Sequence, residues 1–241
     1  MTKKSTIDDY ARKAQLFPAL LVVLPILLIV LVLVPDFATR TEGLSSLIVG
    51  LAVMVWMANI SRQAGQRAQS RLFPLGLPGK EWLRHRDETL EAPTKARYKL
   101  FLSEQIPGIV FPATEDERAD PDNADAVYSS AIRWLVDNTR DNARVRQELI
   151  DYGFRRNLFG LRRWGIVVSL VTAGVTGGYV WWRYGVAAFA EAPALVSVGI
   201  VSAVILPALW IGSVTQEWVS SAAKSYARAL LGVCDLRHNG T

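Results

Sequence analysis

Apolar residues in this chain gather into four long runs, two on each side of a charged stretch spanning 61–164. Residues 16–34 (LFPALLVVLPILLIVLVLV), 44–60, 165–182 and 193–214 carry no charged side chain. Each approaches the roughly 20 residues that a helix needs to cross about 30 Å of hydrocarbon. In lipid only a helix or a closed barrel satisfies its own backbone, and a barrel strand would alternate over about 10 residues rather than run continuously apolar. The pattern predicts an all-α integral membrane protein with four transmembrane helices as two hairpins and a mostly helical cytosolic insert between them. Its divisions are an N-terminal tail (1–15), a first hairpin (16–60), a stalk and helical domain (61–164), a second hairpin (165–214), and an amphipathic helix with a tail (215–241).

Finer patterning fills in the polar parts. Pro25 falls mid-run and is expected to kink the first helix and free a carbonyl for a neighbour. The second run meets no breaker before 61–71, where Ala64, Ala68 and Leu72 recur at helical spacing, so its helix continues as a stalk. Pro74, Gly76, Pro78 and Gly79 end it. Pro93 suits a helix start. Tyr98, Phe101, Leu102 and Gln105 then mark one face, until Pro107 and Gly108 stop it. Residues 109–111 read as a short strand or extended link, and 115–125 as an acidic loop. Pro121 and Asn123 introduce an amphipathic helix with Ala124, Val127, Tyr128, Ile132 and Leu135 on one stripe. Another, from about Asn142, turns Val145, Leu149 and Tyr152 inward. Past the fourth run, Trp218, Ala222, Tyr226 and Leu230 repeat beside Val219, Ala223, Ala227 and Leu231, with Ser220, Lys224 and Arg228 opposite. This is a long amphipathic helix leaving the membrane, packed on the stalk and soluble helices or used for oligomerisation.

Composition adds orientation. The chain has 27 Lys+Arg against 22 Asp+Glu. Lys3, Lys4, Arg12 and Lys13 precede the first run, 61–164 is the most basic segment, and Lys224, Arg228 and Arg237 follow the last run. The short connections 35–43 and 183–192 hold only Arg40 and Arg183. The positive-inside rule therefore puts both termini and the insert in the cytoplasm, with two small turns outside. The first run exceeds the 7–15 residues of a signal-peptide core and is followed by a poor cleavage site, which predicts a retained helix. With Cys234 as the single cysteine, no internal disulfide can form.

Candidate chemistry is sparse. The four runs contain no ionisable residue, which argues against a proton-coupled transporter. A pore lined by Ser169, Thr172, Thr176, Ser197 and Ser202 stays open, against the plainer reading that each hydroxyl bonds its own helix. Gly174, Gly177 and Gly178 in the third run, and Gly199 and Ala203 in the fourth, have the small-residue spacing of close helix packing, within the chain or between subunits. Trp56, Trp181, Trp182, Tyr184 and Trp210 fall where interfacial anchors are expected. Arg155, Arg156, Arg162 and Arg163, interleaved with Phe154, Leu158, Phe159, Leu161 and Trp164, suit an interfacial segment on anionic headgroups, or a phosphate site at Arg155 and Arg156. His85-Arg86-Asp87 lacks every other kinase element, residues 76–80 lack the phosphate-loop spacing, and 120–131 depart from a calcium loop at Asp125 and Ala131. The expectation is a non-enzyme with no cofactor and no metal. Nothing resembles a nucleic-acid module, so the expected partners are the bilayer, further copies of the chain and a soluble cytosolic protein.

The segment from Tyr152 to Gly165, with Ala126 to Leu135 upstream, is similar to small uncharacterised four-span bacterial membrane proteins associated with anti-phage defence. The resemblance covers about a third of the chain, rests on no motif of known chemistry and carries over no functional residue. It implies an antiviral membrane effector in which a cytosolic domain senses a signal and the spans then open or disrupt the bilayer. The mechanical expectation matches: helices around 61–71 and 215–231 should cross the membrane surface unbroken and pass movement to the spans. Two other readings are a scaffold subunit that recruits a soluble partner to the membrane through 75–150, with the acidic loop 115–125 as bait for a basic partner, and a small channel or exporter.

Overall fold

A computed structural model describes residues 10–33, 43–185 and 194–238, and among them every regular element is helical. A π-helical turn, Ala11–Leu16, leads into α1 (Phe17–Leu33). Helix α2 (Gly43–Leu72) contains the uncharged run 44–60 and continues past it without a break. The short α3 (Pro78–Trp82) precedes α4 (Ala92–Gln105), α5 (Thr114–Ala119) and α6 (Pro121–Asn138). Next come α7 (Ala143–Tyr184), α8 (Ala194–Gly212), α9 (Gln216–Leu231) and α10 (Val233–His238).

Local chemistry explains the element ends. Asp120 Oδ1 accepts from the Asn123 N–H at 3.0 Å, with Pro121 at the first helical position of α6. Asn142 Oδ1 accepts from the N–H groups of Arg144 and Val145, which starts α7. Thr215 Oγ1 accepts from the Trp218 N–H and caps α9. Gly108, at φ 77°, supplies the left-handed residue just past α4.

Among the described residues two helices are long and apolar enough to cross a membrane, Arg12–Val30 and α7. A third candidate is the pair Val196–Gly212 and Gln216–Asp235, bent at a break. At 42 residues α7 is about 63 Å long, twice the hydrocarbon thickness, so no more than half of it fits within lipid.

Of the two readings of residues 109–111, the extended link is the one found. Other expectations need correction. The acidic stretch 115–125 is helical, divided between α5 and the start of α6, because Glu115, Asp116 and Glu117 suit the first turn of α5 and Asp120 with Pro121 favours the start of α6. The fourth run does not continue unbroken into the last amphipathic helix, since 213–215 interrupt it and Thr215 begins a new helix. Unbroken passages do occur in α2, which runs past residue 60 as expected, and in α7, which carries the arginine-rich part and the third run within one helix. Most of the connections 35–43 and 183–192 lie outside the described residues.

The chain divides into two compact units. One comprises Met1–Gln69 and Gly153–Val219, the other Ser70–Tyr152 and Ser220–Thr241, and α2, α7 and α9 contribute residues to both. The first unit packs around Val22, Leu158, Leu161, Trp210 and Val214. Its part of α7 buries a stripe of Leu161, Gly165, Ser169, Thr176 and Val180, while Val167, Leu170, Val171 and Val175 face outward. The members of that stripe lie four or seven residues apart, the spacing of one helix face.

The second unit buries Leu83, Leu102, Tyr128, Leu135, Tyr152 and Leu230. Tyr152 stacks on Tyr226 with ring centroids 6.3 Å apart, and Phe73 meets its edge at 6.4 Å. The faces expected of α6, α9 and the start of α7 are the buried ones, although Gln105 of α4 is exposed and Lys95 takes a buried place there. Arg97 Nε lies 2.7 Å from Asp235 Oδ1, and Tyr98 Oη donates to Asp235 Oδ2 at 3.1 Å, tying α10 to α4. Beside them Cys234 is buried, which pushes its thiol up to about 12, with Asp235 adding to the effect.

Candidate functional site

Two clusters concentrate the polar chemistry, one in each unit. In the first unit it is a seam where helices touch backbone to backbone. An added Cβ at Gly160 would lie 2.4 Å from the Ala64 carbonyl, and one at Gly165 would lie 2.3 Å from the Trp210 ring. A Cβ at Gly65 would collide with Asn157, and one at Gly153 would meet Tyr10 Oη at 2.9 Å. Asn157 is fully buried; its Nδ2 donates to the Ala14 carbonyl at 2.6 Å and its Oδ1 accepts from Arg156 Nε at 3.2 Å. The accepting carbonyl belongs to the π-helical turn, where the usual helical pairing is displaced by one residue. Asn157→Ala should therefore cost about 1–3 kcal/mol by stranding that buried carbonyl, measurable as a shift in unfolding midpoint in detergent.

Gly174, Gly177 and Gly178 lie away from this seam. Beyond the backbone of their own helix, no atom of the described residues comes within 4 Å of a Cβ added at these positions. Gly199 and Ala203 instead line, with Pro25, Thr172, Thr176 and Ser202, a void of about 10 Å³. That is room for about one water. Thr172 donates to Val168 O at 2.8 Å and Ser202 to Gly199 O at 2.9 Å, so these hydroxyls bond their own helices. Ser169 is buried on the same helix as Thr172, whereas Ser197 is exposed.

The four arginines have separate roles. Arg155 Nη1 donates to Trp218 O at 3.1 Å, and its guanidinium lies 5.0 Å from the centre of that indole. Arg156 donates to Gln69 Oε1 at 2.7 Å as well as to Asn157. Arg162 Nη2 donates to Ile211 O at 3.0 Å, satisfying a carbonyl in the last turn of α8. Arg163 is exposed. Trp210, expected as an interfacial anchor, is instead buried against Gly165, while Trp56, Trp181 and Trp182 are exposed.

In the second unit, α3, the segment after it, α4, α5 and α6 bring charges together. Arg84 is only 3% exposed and is met by three carboxylates: Glu81 at 3.3 Å, Glu117 at 3.7 Å, and Asp125. Asp125 also pairs with Lys80 at 3.2 Å. Glu117 accepts from Tyr128 Oη at 2.8 Å and from the His85 main-chain N–H at 3.1 Å. Burial alone would raise the Glu117 pKa, but these hydrogen bonds, with the charges of His85 and Arg84, hold it below the usual carboxylate range. Tyr128 is pushed up by burial and by Glu117.

Beside this network lies a cleft of about 460 Å³ lined by His85, Glu88, Glu91, Lys95 and Lys99 among others. Lys95 Nζ donates to the main-chain oxygens of Arg84 and Asp87 at 2.6 and 2.5 Å. Lys99 Nζ donates to Tyr128 Oη at 3.2 Å and lies 3.0 Å from His85 Nε2. That same ring nitrogen is 3.0 Å from Pro112 O, so it donates to the carbonyl in one tautomer and accepts from Lys99 in the other. Burial pushes Lys99 down to about 8, despite the opposing pull of Glu117. Sequence reasoning had noted His85 only as part of a failed motif. Lys95 was detectable as a charge at the i−3 position of the Tyr98/Phe101/Leu102 face.

No protein-family model, curated protein or solved structure matches this chain.

Proposed function

We propose that the chain is a four-span protein of the bacterial inner membrane, with both termini and the helical insert in the cytoplasm, that acts as a non-catalytic effector. In this reading it assembles with further copies and passes a cytosolic event to the bilayer as a pore, leak or structural change. The observation that carries it is α7. One helix of 42 residues holds the buried face of a soluble helix at Val145 and Tyr152 and an uncharged membrane-length run from Gly165 to Trp182. A displacement at its polar end tilts its apolar end, because a helix transmits movement along its axis. The resemblance to defence-associated membrane proteins points the same way.

The void of about 10 Å³ among the helices of a single chain is too narrow for a solute path. A pore would therefore require movement of these helices or an opening between copies. The outward face of Gly174, Gly177 and Gly178 is the one we assign to contact between copies. The basic segment of Arg155, Arg156, Arg162 and Arg163 is assigned to the cytosolic surface of the bilayer, with exposed Arg163 meeting lipid phosphates.

The test is inducible expression of the full chain in a bacterium carrying a voltage-sensitive dye, with and without phage challenge. Depolarisation in either condition supports the effector reading, and a steady potential in both overturns it. Impermeant-thiol labelling tests the topology: cysteines placed at Ala38 and Ala188 should react from outside intact cells, and one at Asp122 should not.

The scaffold reading has one observation in its favour. Glu115, Asp116, Asp120 and Asp122 remain exposed, although Glu117 and Asp125 are committed to Arg84. Neutralising the four exposed carboxylates should abolish capture of a basic partner if this reading holds.

A further inference from the structure

We propose that the cleft formed by Lys95 and Lys99 beside His85 binds a small phosphate-bearing anion, either inorganic phosphate or a phosphate monoester. The inference goes beyond the effector reading and stands on the cleft alone. Charge compensation in the second unit supplies the argument. Arg84, nearly buried, is matched by Glu81, Glu117 and Asp125. Lys95, at 7% exposure, has no carboxylate within 4.0 Å among the described residues, and its two acceptors are main-chain carbonyls. Lys99 likewise has none: it reaches Tyr128 Oη and His85 Nε2, and its closest carboxylate, Glu117, is one hydroxyl away and already held by Arg84. An ammonium has three donors, so each lysine keeps one N–H for a ligand.

Unpaired charge out of water is costly, and the lowered Lys99 pKa records that cost. An anion bound between the two lysines would offset it with two charge-assisted hydrogen bonds, and with a third where His85 Nε2 gives its proton to the anion in place of Pro112 O. The volume of about 460 Å³ lies within the usual range for small-molecule sites. Glu88 and Glu91 line the same cleft and are exposed, while Asp87 is partly exposed and spends one carboxylate oxygen on the Thr89 N–H at 2.9 Å. These carboxylates oppose a polyphosphate but leave room for a single phosphate group on the two lysines.

The test uses the full chain in phosphatidylcholine nanodiscs, with inorganic phosphate as the probe and chloride keeping the ionic strength constant. At pH 8 a lysine with a lowered pKa is methylated quickly by formaldehyde and a mild reductant, so Lys99 is followed by mass spectrometry with exposed Lys224 as the internal standard. Phosphate should slow Lys99 methylation several-fold and saturably, leaving Lys224 unchanged, and His85→Gln should weaken the effect about tenfold, the loss of one charge-assisted hydrogen bond. Equal responses at the two lysines, or no response to millimolar phosphate, would overturn the proposal. Calorimetry of Lys99→Gln is the second measurement: loss of the phosphate heat supports the site, and an unchanged heat overturns it. In discs containing phosphatidic acid, protection of Lys99 without added phosphate would identify the anion as a headgroup, and protection only on adding phosphate would identify it as a soluble compound; either supports the site.

Discussion

Gly160→Leu is expected to prevent the first unit from folding, while the same substitution at Gly177 or Gly178 leaves monomer stability undiminished. At Gly160 the obstacle is backbone: an added Cβ would be 2.4 Å from the Ala64 carbonyl atoms and 2.7 Å from Gly65 N. Backbone cannot rotate away as a side chain can, so α2 and α7 would have to separate along the seam that also holds Gly65 against Asn157. Overpacking a well-filled core costs about 1–3 kcal/mol, and a leucine against main chain should exceed that range. At Gly177 and Gly178 the added atoms meet nothing among the described residues, and replacing a mid-helix glycine relieves up to about 1 kcal/mol of propensity. Unfolding midpoints in detergent distinguish the two sets. Subunit number supplies a further reading: if Gly177→Leu with Gly178→Leu alters neither assembly nor membrane depolarisation, the contact between copies proposed for that face is lost.

The second large effect is expected at Arg84. Arg84→Met removes the cation that compensates Glu117 and Asp125, and breaking a buried pair on one side costs about 3–5 kcal/mol. Acid should do the same more gradually. The folded pKa of Glu117 lies below its unfolded value, so its stabilisation is fully present above the unfolded value of about 4.3 and disappears as pH falls through the folded one. Chemical denaturation from pH 7 down to pH 3 should therefore show a loss in the wild type that is smaller in Glu117→Gln. Equal slopes in the two proteins would remove Glu117 from the acid response.

Much of the helical architecture is legible in the sequence because its signals are local. The continuity of α2 past Ile60 follows from the absence of a breaker, and the buried faces of α6 and α9 follow from spacing. What escaped has a non-local cause. Nothing within residues 152–164 indicates that the segment is one helix with the third apolar run, because four arginines suggest a surface until Arg155, Arg156 and Arg162 are found bonded to Trp218, Gln69 and Ile211. Small-residue spacing singles out Gly174 to Gly178 but not Gly153 or Gly160, whose neighbours four residues away are large; only tertiary packing shows which glycines meet a neighbouring helix. The acidic stretch showed its composition but not its fold, since Glu117 and Asp125 turn inward to a cation more than thirty residues away. The charged cleft was the least visible, because Lys95 and Lys99 acquire their meaning from Arg84, Tyr128 and His85 on other segments.

Cys234 gives the molecule a built-in clock. Alkylating reagents attack the thiolate, which is scarce near neutral pH for a thiol raised to about 12, and the sulfur is also screened from solvent. Reaction must therefore wait for the end of the chain to come away from α4, undoing the Asp235 contacts to Arg97 and Tyr98. The rate at which an intact sample consumes a maleimide thus counts those excursions, much as amide exchange counts local unfolding. The same reticence lets reporter thiols be installed elsewhere without first removing the native one, so the opening of this terminus and an engineered position can be followed in a single experiment.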